Sequence, residues 1–379
     1  MDGTLMRIAI DAIPLLLRSA GVKTYLFNWI HSLRRLAGET GILAFPSIGR
    51  LSEYSHEKSV LPPAATIARL AYYHAVNYSG LPLIDWFGAR VDVFHASHML
   101  WNAPRRTKLT ATLYDLTCWL APETHPKGNV TVMKRFAGRV LRRAGGLIAI
   151  SESTRNDAVR VLGLPEDRIE VIYPGVAEGF FQITPDAVST ARAKYRLARP
   201  YLLFVGTIEP RKNIDTLLRA YARLKPSLRQ EFELVLAGPI GWAAQETIER
   251  VRQPPGGVRY LGYVPEADLP GVTAGATAFV YPSLYEGFGL PLAQAMAAGV
   301  PAITSGVSSL PEVAGGAALL VDPRSEAELS AAMETLLLGG NLRRRRAETG
   351  LARARQFTWE SCAAASLAFF KSVCGNTRR

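Results

Sequence analysis

Three charged side chains and the glycines around them carry the chemistry in this sequence. Arg211 and Lys212 stand in Gly206-Thr-Ile-Glu-Pro-Arg-Lys-Asn213, directly after the apolar run 201–205. Glu286 stands in Tyr281-Pro-Ser-Leu-Tyr-Glu-Gly-Phe-Gly-Leu-Pro291, after a second short apolar run at 277–281. Each loop leads into a helix-favouring stretch. Asn213 is placed as a helix N-cap with Asp215 in the first turn, and Pro291 suits a first helical position before 292–298, where Gly299 supplies the stop. A loop at the carboxyl end of a strand is where α/β proteins bind ligands. Gly287 and Gly289 let the backbone approach closely, and the amides of Phe288, Gly289 and Leu290 would point at an anion. Two cations neutralise a diphosphate leaving group, while a carboxylate accepts hydrogen bonds from sugar hydroxyls. The combination suits a sugar joined to a diphosphate. An ordinary strand, turn and helix would account for the glycines and prolines, but not for a carboxylate in the turn.

The elements around these loops repeat one rhythm. Strands are expected at 6–10, 91–94, 109–113, 147–150 and 169–172, with a helix at 25–36. Turn chemistry at Tyr173-Pro-Gly-Val176 closes this region. The rhythm restarts with strands at 201–205, 233–237, 258–261 and 277–281 and helices at 214–224 and 266–274; a further helix is expected over 353–370. Strands alternating with helices at this spacing imply parallel, doubly wound sheets. Two such sets predict an α/β protein of two Rossmann-like domains facing a central cleft. The expected division is 1–184, 185–355, and a terminal helix at 356–379.

Composition narrows the alternatives. The 379 residues are 48% hydrophobic and 20% charged, enough for two cores and unlike a disordered chain. Cys118, Cys362 and Cys374 have no metal-ligand spacing, which suggests a reducing compartment. No apolar leader precedes 6–10 and no run reaches membrane-spanning length, so a cytoplasmic location is expected. The formal charge of +12 divides evenly between 1–184 and the remainder, and without a nucleic-acid-binding motif no nucleic-acid partner is expected. Lys134, Arg135, Arg139, Arg142 and Arg143 alternate with Val132, Met133, Phe136, Val140 and Leu141. Such a helix either lies on an anionic membrane or buries one face and solvates the other. No phosphate-binding P-loop and no G-x-G-x-x-G follows the first strand, which weakens a kinase, ATPase or dehydrogenase reading.

The run around Glu286 closely resembles the signature of retaining GT-B glycosyltransferases of family four, in which two glutamates are separated by seven residues. Here the first is Glu286 and the second position holds Gln294. The loop with Arg211 and Lys212 resembles the basic diphosphate-binding loop of the same family, with Thr207 where many members carry a further basic residue. Ser19-Ala-Gly21-Val-Lys-Thr-Tyr25 resembles the glycine loop after the first strand, and Leu261-Gly-Tyr-Val264-Pro265 a segment near the nucleotide base. Tyr114-Asp115 aligns with a His-Asp pair of many relatives.

The resemblance implies a front-side reaction without a protein nucleophile or metal, which tolerates Tyr114. Asp115 is either a cleft carboxylate that orients sugar or acceptor, or a helix cap. Among the histidines, His95 and His125 read as structural and His98 as an acceptor-site candidate. The implied function is transfer of a hexose from a nucleoside diphosphate, with GDP-mannose the leading donor, to a glycan on a lipid carrier in polysaccharide or lipopolysaccharide assembly. Glu286 positions the sugar, Arg211 and Lys212 the diphosphate, and Gln294 the ribose. No cofactor beyond the nucleotide sugar is implied. The competing readings are a related epimerase or phosphorylase and a catalytically weak sugar-nucleotide-binding scaffold.

Overall fold

In a computed structural model, residues 6–18, 21–49, 55–79, 81, 83–88, 90–97, 100–242 and 245–375 are described. The chain divides into two compact units, one taking in the chain to Gly175 and again from Thr358, the other spanning Val176–Phe357. The breaks fall at 175/176 and 357/358, against the expected 184/185 and 355/356. The amide of Val176 donates to the carbonyl of Phe357 (2.9 Å), which ties both ends of the second unit together. In the first unit, a Cβ on Gly175 would lie 2.2 Å from the Trp359 nitrogen, so only glycine lets the two backbones meet there.

The first unit holds a six-stranded sheet of β1 (Ile8–Asp11), β2 (Ile42–Phe45), β3 (Val93–Ala96), β4 (Lys108–Leu113), β5 (Gly146–Ala149) and β6 (Ile169–Val171), in the order β2-β1-β3-β4-β5-β6. All strand pairings of this sheet are parallel; Ile8 of β1, for example, sits between Ile42 and Val93. Strands buried on both faces need continuous apolar sequence rather than alternation, and all four residues of β1, β3 and β5 are buried. The strand order reverses between β1 and β3, which places the ligand crevice of such a sheet beyond their carboxyl ends.

The second unit repeats the architecture with β7 (Tyr201–Val205), β8 (Glu233–Ala237), β9 (Val258–Gly262), β10 (Ala278–Tyr281), β11 (Ala302–Ser305) and β12 (Leu319–Val321), ordered β12-β11-β10-β7-β8-β9. Its switch point lies between β7 and β10. The loops bearing Arg211 and Glu286 follow these two strands.

The expected helix over 353–370 is two helices, Gly340–Ala354 and Trp359–Gly375. The break lies where the chain leaves the second unit and Phe357 turns its carbonyl to Val176. The terminal helix packs in the first unit. The Trp29 indole donates to Ser366 Oγ (2.9 Å), and Lys108 Nζ donates to the Val373 and Cys374 carbonyls at its end (3.0 and 2.6 Å), capping orphan acceptors with a cation that suits the helix dipole. Cys118, Cys362 and Cys374 are free thiols.

Candidate active site

Strands β7 and β10 are neighbours, so two loops whose Lys212 and Glu286 are 74 residues apart in sequence leave the sheet side by side. The first makes one turn of 3₁₀ helix at Pro210–Lys212, then Asn213 takes a left-handed conformation (φ 60°) and the helix Ile214–Ala222 begins. Asn213 occupies the N-cap position without capping its helix: its amide donates instead to the carbonyls of Pro282 (3.0 Å) and Pro323 (2.6 Å). That swap fastens the β7 loop to the β10 loop, and it corrects the capping role expected from sequence. The second loop runs through Glu286 to Gly289 (φ 94°), which precedes the helix Leu290–Ala297. A Cβ on Gly289 would stand 2.7 Å from Leu310, so both its dihedral and its packing demand glycine.

The charged side chains meet in a buried cluster. Lys212 Nζ donates to Glu286 Oε1 and to the Tyr281 hydroxyl, both at 2.6 Å. The Arg211 guanidinium reaches Glu286 Oε2 and Glu209 Oε1, both at 2.7 Å, and donates to the Tyr285 carbonyl at 2.7 Å. Glu209, Lys212 and Glu286 are all buried. Burial alone would raise the Glu286 carboxyl, but the neighbouring Arg211 and Lys212 charges override it and bring it down to about 2. Burial and the Arg211 charge push the Lys212 ammonium below its usual range, while Glu286 and Glu209 oppose them. Two cations and two anions thus balance at the switch point.

Glu209 was legible in the motif, two residues before Arg211, but its role as a buried counter-charge depends on the loop's fold. Gln294 is buried on the helix after Glu286, and its side-chain amide makes no hydrogen bond with the described residues. Phe288 is buried edge-on against Phe357, with ring centroids 5.2 Å apart, and Leu290 opens the helix. Val264 is buried just beyond β9, after Gly262 with φ 70°.

In the first unit Gly21 begins the helix Gly21–Ala37. Tyr114 and Asp115 follow β4. Tyr114 lies edge-on to Tyr25 (5.3 Å), which also contacts Trp29 and Trp359. Asp115 Oδ1 accepts from the Thr117 amide (3.0 Å) and hydroxyl (2.6 Å), so one carboxylate oxygen is committed to the turn, while Leu116 holds the N-cap position of the helix Thr117–Leu120. His95 is structural: its ring nitrogens hydrogen-bond with Thr110 (2.9 Å) and Thr112 (2.8 Å), and burial pulls its pKa down to about 3. His98 lies outside the described residues.

Sequence reasoning missed Asp11. It ends β1 at this unit's switch point, accepting from the Ser97 hydroxyl beyond β3 (2.5 Å) and from the Ile13 amide (3.1 Å). Burial raises it to about 6 against those hydrogen bonds. An acidic residue closing an apolar strand was the available signal.

Comparison with known proteins gives this geometry a family. Residues 19–179 match the family described as Glycosyltransferase Family 4, and residues 189–353 that of Glycosyl transferases group 1. O-antigen chain mannosyltransferase B of Escherichia coli is 38% identical over 271 residues, 70% of this chain and 71% of that protein. The serotype-specific mannosyltransferase WbdA of Escherichia coli is 30% identical over 74% of this chain, a region amounting to 35% of its own length. Among solved structures, sucrose-phosphate synthase from Thermosynechococcus elongatus superposes with a TM-score of 0.73 at 19% identity, covering 98% of this chain and all of that one. With the paired doubly wound sheets and the basic and acidic loops at the second switch point, the chain belongs to the glycosyltransferases of family four and has their two-domain GT-B fold.

Proposed function

We propose that this glycosyltransferase moves mannose from GDP-mannose, with retention at the anomeric carbon, to a lipid-linked glycan during assembly of a cell-surface polysaccharide. The observation that carries the reading is the buried Arg211–Lys212–Glu286 cluster, in a chain whose relatives include O-antigen mannosyltransferases. The donor diphosphate exchanges with Glu286 for the two cations, and the freed carboxylate accepts hydrogen bonds from the sugar. As the bond from C1 to the diphosphate oxygen breaks, the acceptor oxygen bonds to C1 on the same face. The acceptor proton passes to the departing phosphate oxygen. Arg211 and Lys212 stabilise the charge that develops there, so the reading expects no divalent metal.

Gln294, whose side-chain amide makes no hydrogen bond with the described residues, would accept a ribose hydroxyl at the position of the family's second glutamate. Phe288, Gly289 and Leu290 contribute amides to the phosphates, and the segment at Val264 lies near the base. The Gly21 loop serves the donor phosphates or the acceptor, and Tyr114 and Asp115 orient sugar or acceptor. The lipid-linked acceptor brings the enzyme to the inner face of the cell membrane, where Arg139 and Arg142, both exposed, meet anionic headgroups. No described helix is long and apolar enough to cross a membrane.

The reading is tested by incubating purified protein, with chelator present, with GDP-mannose and a lipid-linked oligosaccharide. Release of GDP with a new α-mannosyl linkage supports it. Absence of transfer to any lipid-linked acceptor, together with no thermal stabilisation by GDP-mannose, overturns it. Gln294 and Tyr114, at positions where relatives carry glutamate and histidine, favour one other reading, a weakly active nucleotide-sugar-binding protein. Stabilisation by GDP-mannose without transfer would select it.

A further inference from the structure

Glu286 is held by its backbone as well as by its carboxylate, and the holding groups come from a different loop. Strand β11 ends at Ser305, and the chain turns through Gly306 and Val307 before the helix Leu310–Ala314. In that turn Ser308 has φ 54°, one of three non-glycine residues with positive φ among those described. Its hydroxyl oxygen accepts from the Glu286 amide at 3.0 Å. The Ser309 hydroxyl donates to the Glu286 carbonyl at 2.9 Å. Ser309 also occupies the N-cap position of the following helix, where a serine oxygen ordinarily accepts from the first turn. It makes no such bond here.

Both backbone polar groups of one residue are therefore taken by side chains of the neighbouring loop. The adjoining Leu310, fully buried, fills the space that a side chain on Gly289 would need.

Left-handed backbone is unfavourable for serine, and glycine or asparagine would occupy it more easily. A residue held there against its preference marks a place where local strain serves another purpose. Simple satisfaction of two turn groups is the competing account. That account does not explain why serine rather than glycine holds the left-handed position at 308.

We infer that Ser308 and Ser309 are positioning residues, a two-hydroxyl clamp that fixes the Glu286 backbone so that its carboxylate faces the donor sugar. The inference rests on the reading of Glu286 as a sugar-binding carboxylate. Because the clamp acts on where the carboxylate stands during transfer, it should govern turnover more than nucleotide affinity.

Ser308→Gly removes the hydroxyl while relieving the unfavourable dihedral, so loss of folding is not expected to confuse the result. Turnover should fall about tenfold, the scale of one oriented hydrogen bond, with the donor KM and the unfolding temperature nearly unchanged. Ser309→Ala should act in the same direction. Turnover within about twofold of native in both variants overturns the clamp.

Inactivity of the native protein would instead count against the glycosyltransferase reading, and a second measurement still judges the clamp. With glutamate labelled with carbon-13 at its carboxyl, the Glu286 signal, identified by its loss in Glu286→Gln, should titrate at higher pH in Ser308→Gly than in the native protein, as its ion pairs loosen. An unchanged titration in that case overturns it.

Discussion

Lys212 Nζ stands 2.6 Å from Glu286 Oε1, with both side chains buried. Each needs the other until a ligand brings a charge of its own, because an isolated buried charge is strongly unfavourable. Glu286 stands in a glycine-rich turn, yet it is buried between two cations, so its removal has a structural consequence as well.

Glu286→Ala leaves Arg211 and Lys212 without a shared counter-charge, and should lose about 3 kcal/mol of stability. Free GDP supplies the missing negative charge, so it should stabilise the variant more than the native protein. Transfer should still fall about a hundredfold, because the diphosphate does not replace the carboxylate at the sugar. Thermal unfolding with and without GDP, alongside turnover, measures all three. Native-like turnover would take Glu286 out of the reaction.

At Gln294, restoring the family carboxylate and removing the amide should have different effects. Gln294→Glu should keep or improve donor affinity, and Gln294→Ala should lose about 1 kcal/mol, the value of one hydrogen bond. Calorimetric titration with GDP-mannose makes the comparison. Equal, native affinity in both variants would mean that residue 294 does not touch the nucleotide.

The basic segment tests the membrane half of the proposal. The helix Lys127–Phe136 runs into a π-helical turn at Ala137–Leu141. Phe136, Val140 and Leu141 face the core, while Lys134, Arg135, Arg139 and Arg142 are exposed. A cavity of about 310 Å³ lined by Trp119, Leu162, Leu164, Lys134 and Arg142, among others, sits beside it. Charge reversal of Arg139 and Arg142 should reduce sedimentation with anionic vesicles, most clearly at low salt. Native protein that ignores such vesicles would leave the helix a solvated face only.

His95 makes a prediction about pH. Its folded pKa, about 3, lies below the ordinary 6.5, so below pH 6.5 the unfolded chain binds the proton first. The resulting stability is present above pH 6.5 and is lost as pH falls toward 3. Between pH 7 and 5, native protein should lose about 2 kcal/mol relative to His95→Asn, which has no proton to gain. Denaturant titrations at the two pH values would show this narrowing. A constant gap would mean that His95 is not held neutral.

Much of this arrangement was legible in the sequence because the second unit announces itself locally. The strands at 201–205 and 233–237 were placed at their observed bounds, since buried parallel strands are short apolar runs. β2, β11 and β12 were missed: Ile42–Phe45, Ala302–Ser305 and Leu319–Val321 are brief, and β12 is a partly exposed edge. Arg211, Lys212 and Glu286 could be singled out by type and by position after strands. Their mutual ion pairs could not, because strand order makes neighbours of β7 and β10. Ser308 and Ser309 were invisible for the same reason. Nothing local separates a serine that caps its own helix from one that bonds a loop across the sheet.

The close meeting of Gly175 with Thr358 and Trp359 has a consequence for synthesis. The stretch Val176–Phe357 is continuous, so it can fold as soon as it leaves the ribosome. The earlier unit must wait for the helix Trp359–Gly375 to be made. At ordinary translation rates of about 5–20 residues per second, that interval lasts roughly 10–40 s. Meanwhile the indole of Trp29 has no Ser366 to receive its hydrogen bond, and the apolar surface later covered by Phe369 and Phe370 stays open. The unit begun earlier is the unit finished later, and an enzyme cut before Trp359–Gly375 would expose that seam permanently.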